Sequence, residues 1–313
     1  MANGIIPMLG GRFIRDEDQV LGLLDALAPS VGRHSTFAPS VEIVRTESAI
    51  RNVPKFLQPG TLFVVQGMER LSCGGNVYIA DRDRFILTSA PVGFRIDTDA
   101  VAGIPLLAIH VAFDPATAMD IAQEINRQGR STARTMAICK TCGSMDKPLR
   151  DLLARLLTIL RDPLSCRVLV PGLIRELHFR LLQRDDGPAV LAGLLGQGTR
   201  GKVLKTAAEL LSRRRTGVSI DTVAAAAGIS LSSYYSHFRA LFGSTPLEYL
   251  KAARLHEARN LLKSADIGIA DVAQTVGYKG ISQFSREFRR YFGRTARDEQ
   301  KLLQASMSNI DLV

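Results

Sequence analysis

The phrase VAAAAGISLSSYYSHF, beginning at Val223, returns as VAQTVGYKGISQFSREF from Val272, and no other feature constrains the fold as much as this internal repeat. Pairing the copies sets Gly228 opposite Gly277, 49 positions apart, and Phe238 opposite Phe288 and Gly243 opposite Gly293, each 50 apart. The second copy therefore carries one extra residue in its turn. In the first copy Val223, Ala224 and Ala227 make a small apolar face, Gly228 admits the positive φ of a tight turn, and Ser230 is a good helix N-cap. Tyr234, Phe238 and Leu241 then recur at helical spacing as a buried back, leaving Ser232, Tyr235, Ser236 and Arg239 on the opposite side. Two short helices joined by a glycine turn, the second with an apolar back and a small polar front, form a helix-turn-helix whose front can enter a major groove.

The second copy follows the same rules. Val272, Ala273 and Val276 lead to Gly277, and Phe284 and Phe288 anchor a helix whose free face carries Ser282, Gln283, Arg286 and Arg290. Gln reads adenine edges and Arg reads guanine edges by paired hydrogen bonds, so Gln283 and Arg286 are the expected base readers, with Arg290 and Lys279 on phosphates. The first face has little bidentate capacity and is expected to give hydroxyl, phosphate and thymine-methyl contacts. Between the copies, Thr245, Pro246 and Glu248 spell a capping box with proline at the first helical position. A helix over the 18 residues from Pro246 to Lys263 would be about 27 Å long and could hold two recognition helices near the ~34 Å repeat of B-DNA. Writing the unit twice lets one chain engage two adjacent grooves.

Charge agrees with this. The 313 residues carry a formal net charge of +10, of which 196–313 hold 18 basic against 10 acidic residues, a net of +8. A basic module joined to a nearly neutral one reads as a polyanion-binding domain plus something else. At this length two domains are expected, and the polar, glycine-bearing LLGQGTRG places the boundary at 195/196. Four cysteines make no secreted disulfide framework, no export signal is visible, and the longest apolar run, GIPLLAIHVAF, is far too short to span a bilayer; a cytoplasmic protein with no membrane association is expected.

The first 195 residues carry a different pattern. From about 41 to 113, short β-branched and aromatic runs alternate with turn formers and predict an antiparallel sandwich or barrel; from about 114 to 193 the periodicity turns helical. The fold class expected is therefore α+β, with a β-barrel and flanking helices followed by an all-α domain. Leu149, Leu152, Leu153, Leu156, Leu157 and Leu160 form one stripe, either packed on the barrel or buried in a dimer seam. Of the five histidines only His34 and His110 could belong to the barrel, and neither has a clustered partner, so neither catalysis nor a bound metal or other cofactor is expected.

The residues from Lys202 to Arg297 resemble the AraC/XylS family of bacterial transcription regulators, in VAAAAGISLSSYYSHFRALFGSTPLEYLKAARLHEARNLL followed by IADVAQTVGYKGISQFSREFRRYFG. The resemblance implies two helix-turn-helix units on a connecting helix, double-stranded promoter DNA as ligand, and activation of transcription through RNA polymerase. One departure is visible: the family commonly follows its last FG with Ser-Pro, whereas Gly293 is followed by RTARDEQ. The stretch PGTLFVVQGMERLSCGGNVYIADRDRFILTSAPVGF more loosely resembles the cupin-like β-barrel arm of one branch of that family, which implies a small-molecule effector or homodimerisation. Two motifs stay open beside this reading. Cys139 and Cys142 have the spacing of a redox pair or half a zinc site, and Arg130 and Arg134 could clamp a phosphate; two incidental thiols and a solvated loop are the plain alternatives. A nucleoid-associated protein with little sequence preference is the competing function.

Overall fold

A computed structural model describes residues 16–127, 140–212, 214, 219–264 and 267–308. Cys139, Arg130 and Arg134 lie outside them. The described residues open with α1 (Asp16–Leu27), then run through nine strands: β1 (Gly32–Ser35), β2 (Val41–Thr46), β3 (Ile50–Leu57), β4 (Gly60–Gln66), β5 (Glu69–Cys73), β6 (Asn76–Ala80), β7 (Arg84–Thr88), β8 (Val92–Thr98) and β9 (Leu106–Ala112). Next come α2 (Pro115–Arg127), β10 (Lys140–Ser144), α3 (Lys147–Ile159), α4 (Pro163–Leu182) and α5 (Gly187–Leu194). The rest of the described chain is helical: α6 (Gly198–Ser212), α7 (Ile220–Ala226), α8 (Leu231–Phe242), α9 (Pro246–Leu261), α10 (Ile269–Thr275), α11 (Ile281–Phe292) and α12 (Ala296–Ser308).

The strands form two antiparallel sheets, ordered β1-β2-β9-β4-β7-β10 and β3-β8-β5-β6. The expected barrel does not close, because among the described residues no ladder joins the two sheets. The edge of β7 that could have continued to β6 is taken by β10, with Thr141 opposite Leu87 and Cys142 opposite Ile86. Sequence periodicity missed β10, since KTCGS has neither alternation nor β-branched bulk beyond one threonine.

The six-stranded sheet is covered on both faces, so strands such as TLFVVQ read as continuous apolar runs. On one face Phe63, Phe85, Ile109 and Val111 pack against α1 to α5, and all six leucines of the Leu149 to Leu160 stripe are buried in that core. This settles the stripe as internal packing and removes it as a dimer seam. Leu164, Val168, Leu169 and Phe179 are the large apolar residues that α4 leaves exposed, Val168 at 66%. Helix α4 is capped by Asp162 and carries Pro171 inside it. On the sheet's other face Leu62, Val64, Ile86 and Ala108 meet Leu71, Val92 and Phe94 of the smaller sheet, and the same core continues into Tyr234, Phe238, Tyr249 and Leu250. Strands of the first half and helix-turn-helix helices thus share one hydrophobic core. No helix among the described residues is long and apolar enough to cross a membrane.

Candidate nucleic-acid interface

Each repeat copy folds as a pair of helices around a left-handed glycine, Gly228 at φ +67° and Gly277 at φ +89°. Glycine is required there because side chains meet the following carbonyl in that region. In the first unit the hydroxyl of Ser230 accepts from the Ser233 amide at 3.4 Å and starts α8, and Gly243 ends it at φ +69°. Tyr234, Phe238, Leu241 and Phe242 turn inward, and the Tyr234 hydroxyl meets that of Thr206 on α6 at 2.8 Å. Burial pushes the Tyr234 phenol up to about 12, so it stays a neutral hydrogen-bonding group. Ser232, Ser236 and Arg239 are exposed as predicted, whereas Tyr235 is half-buried against the shared core.

Helix α9 starts at the predicted capping box: the Thr245 hydroxyl accepts from the Glu248 amide at 3.2 Å, and the Glu248 carboxylate accepts from the Thr245 amide at 2.8 Å. Its 16 residues end two short of the expected Lys263, which makes the rod about 24 Å. The remainder of a ~34 Å groove repeat has to come from α8 and α11 standing off its two ends.

In the second unit Phe284 and Phe288 are fully buried, and Lys279, Ser282, Gln283, Arg286 and Arg290 are exposed. Glu287, which sequence reading passed over, sits half-buried on the same helix. Its carboxylate accepts from the Tyr278 hydroxyl at 2.9 Å, Lys251 Nζ at 3.2 Å and Gln283 Nε2 at 3.3 Å. Burial raises the Glu287 carboxyl, but these three donors outweigh it and hold it below the usual carboxylate range. Gln283 is thereby oriented along the helix before any ligand arrives, with its amide oxygen left to accept.

Two further arginines were missed. Arg289 and Arg297 join Arg286 around a cleft of about 410 Å³ between α10, α11 and the start of α12, floored by Ile269, Ile281 and Ala296. Arg297 comes from the stretch that replaces Ser-Pro. The helix still starts cleanly there, because the Thr295 hydroxyl accepts from the Asp298 amide at 3.2 Å. Only the arginine density of REFRRYFGRTAR hinted at this cluster, since periodicity within one helix does not say how three successive helices pack around a cleft.

The recognition helices are also held from behind. Cys73 Sγ donates to the Phe242 carbonyl at 3.1 Å and Lys140 Nζ donates to the Leu241 carbonyl, so strands of the first half complete the C-terminus of α8. The Tyr249 hydroxyl donates to the Pro91 carbonyl at 2.9 Å, and Arg95 lies 5.7 Å over the Tyr291 ring. His256 sits between, 5.7 Å from the Phe56 ring and 3.1 Å from the Tyr291 hydroxyl. Burial, with Arg259, Arg33 and Arg95 nearby, pushes its imidazole down to about 3, so the seam carries a neutral ring at neutral pH.

Residues 38–189 match the family of AraC-type transcriptional regulator N-termini, and residues 223–301 match a helix-turn-helix domain family. The chain belongs to the AraC family of transcriptional regulators. Among curated relatives, the transcriptional activator NphR of a Rhodococcus species is 41% identical over 76 residues, 24% of this chain and 22% of its own length. A putative AraC-like regulator of Streptomyces lividans is 29% identical over 164 residues, 50% of this chain and 54% of its own. The activator RhaS of an Enterobacter strain is 34% identical over 90 residues, 29% of this chain and 32% of its own. The chain thus spans between about a fifth and about half of these relatives. ToxT of Vibrio cholerae, solved with an unsaturated fatty acid, shares the fold at TM-score 0.58 and 10% identity, over 83% of this chain and 93% of its own. Membership places the protein among AraC-type DNA-binding transcription regulators and not among enzymes.

Proposed function

We propose that the protein is a sequence-specific activator of cytoplasmic transcription that binds double-stranded promoter DNA and assists RNA polymerase there. Residues 1–195 form its regulatory unit and 196–313 its DNA-binding unit. The observation that carries the reading is the pair of exposed polar helix faces, Ser232, Ser236 and Arg239 on one unit and Lys279, Ser282, Gln283, Arg286 and Arg290 on the other, fixed to one capped helix. That NphR and RhaS are activators supports the direction of regulation. Gln283→Ala or Arg286→Ala is expected to cost about 1–3 kcal/mol on the specific site and to relax base preference there. Arg290→Ala or Lys279→Ala should instead weaken all sequences alike and flatten the salt dependence. Competition binding between promoter and random DNA at fixed salt checks both. Equal affinity of the wild type for the two DNAs would favour the nucleoid-associated alternative.

Regulation runs, in this reading, through a small molecule or a second subunit acting on residues 1–195. The exposed α4 residues Leu164, Val168, Leu169 and Phe179 are the surface assigned to the second subunit. Val168→Glu is expected to halve the mass seen by light scattering; a wild type that is already monomeric at high concentration removes the subunit route. The redox or metal reading of Cys139 and Cys142 gains no support. Cys142 Sγ donates to the Ile79 carbonyl at 3.3 Å, and burial raises its thiol, the opposite of a reactive thiolate.

A further inference from the structure

Helices α1 and α3 and the outer face of the six-stranded sheet surround a cavity of about 510 Å³. Its walls are apolar: Val20 of α1, Phe63 and Val65 of β4, and Leu153 and Ala154 of α3. It lies outside the space between the two sheets, which Leu62, Val64, Leu71 and Phe94 fill as core. Polar groups gather on its lining as three guanidiniums, Arg82, Arg150 and Arg155, with a single carboxylate, Asp151. That carboxylate is engaged by Lys147 at 2.9 Å. Arg150 is held by Asp83 at 2.9 Å and the Arg82 carbonyl at 3.0 Å, and Arg155 by Glu176 at 2.9 Å. A guanidinium has five N–H donors, so these bonds fix the Arg150 and Arg155 side chains without using every donor. Counting the paired acids, Lys147 and Arg180, which shares Glu176 with Arg155, the surroundings carry a net of about two positive charges, which suits an anionic group such as a carboxylate.

We propose that this cavity is the effector site and takes an amphipathic monoanion, its apolar body against Phe63, Val65 and Ala154 and its carboxylate at the Arg82, Arg150 and Arg155 rim. The proposal rests on the reading above that a small molecule acts through residues 1–195. Strand β4 supplies the route to DNA. Side chains alternate across a strand, so Phe63 and Val65 look toward the cavity while Leu62 and Val64 enter the core that also holds Phe238 and Tyr249. A ligand that shifts β4 therefore pushes on the packing behind the first recognition helix.

The test uses the full chain and two probes, 4-phenylbutanoate and the alcohol of the same skeleton, 4-phenylbutan-1-ol, with binding read by titration calorimetry. The carboxylate is expected to bind one saturable site at least tenfold more tightly than the alcohol. Ala154→Trp, or Val20→Trp where the first variant loses its native circular dichroism, fills the cavity and should weaken the carboxylate at least tenfold. Arg155→Gln should weaken the carboxylate several-fold and leave the alcohol unchanged. No saturable binding, equal binding of the two probes, or full binding to the filled variants overturns the site. So does a dimer that covers the mouth, seen as loss of probe binding at concentrations where the mass doubles. DNA affinity, measured with and without 4-phenylbutanoate, separates the two layers. A change in the wild type that disappears in Ala154→Trp supports site and regulation together. A change that persists in that variant overturns the cavity and keeps small-molecule regulation; probe binding in the cavity with no change in DNA affinity overturns the regulatory role of the site.

Discussion

Replacing Gly243 by alanine is expected to lower stability by about 3 kcal/mol or more, while the matching change at Gly293 lowers it by about 1 kcal/mol. Both glycines cap a recognition helix in the left-handed region, at φ +69° and +79°, so both substitutions incur the same backbone strain. Their surroundings differ. A Cβ on Gly293 would meet nothing within 4 Å, whereas one on Gly243 would stand 2.5 Å from the Gly74 Cα and 3.1 Å from Cys73 Sγ. Backbone cannot rotate away as a side-chain end can, so the β5–β6 turn has to separate from α8 and the Cys73 bond to Phe242 is lost with it. Urea unfolding of the two variants, with hydrogen exchange at β5 and β6, reads the difference. Equal losses at both positions would mean that the two halves do not touch through these glycines in solution.

Phe288→Ala is expected to cost about 3–5 kcal/mol, with the damage confined to the second unit. Phe288 is fully buried, with its ring 5.5 Å from Phe284 and 4.6 Å from Phe292. Its core also holds Leu255, Leu262, Val272 and Val276 and includes no residue of the β-sheets. Its counterpart Phe238 belongs to the core that runs into Leu71 and Phe94, so loss there would reach both halves. Hydrogen exchange should show α10 and α11 opening while β4 and β9 keep their protection, and footprints should contract toward a single groove. Unfolding of the entire chain as one unit in Phe288→Ala would contradict this division of cores.

The two helix-turn-helix units were legible because their determinants are local. Gly228 and Gly277 turn the chain, Ser230 and the Thr245–Glu248 box start helices, and Phe284 and Phe288 repeat at one helical turn, all within a few residues of one another. The exposed faces followed from the same spacing, and only Tyr235 departs from it, because a half-buried position depends on what α8 packs against. The expected account of the second unit's exposed face was incomplete for a related reason. Glu287 was passed over as one more charge on a helix, and its hold on Gln283 depends on Tyr278 and on Lys251, 36 positions away.

The first half shows the limit more plainly. Apolar runs between turn formers placed a β-rich stretch between about 41 and 113, and helical periodicity gave the leucine stripe of α3, while β1 at 32–35 and β10 at 140–144 fell outside that stretch. It had no means to say that β10 would take the edge of β7, or that the sheets would stay unclosed.

By itself, then, the amino-acid order determined where the chain turns, where helices begin and which side of each is apolar, since sterics and hydrogen bonding between near neighbours decide those features. Tertiary structure alone decided how the halves meet: Cys73 reaches a carbonyl 169 positions away, and Arg286 and Arg289 share a cleft with Arg297 from the next helix. Such contacts form only when separately built surfaces fit together, and their energy resides in that fit, which no stretch of sequence carries alone.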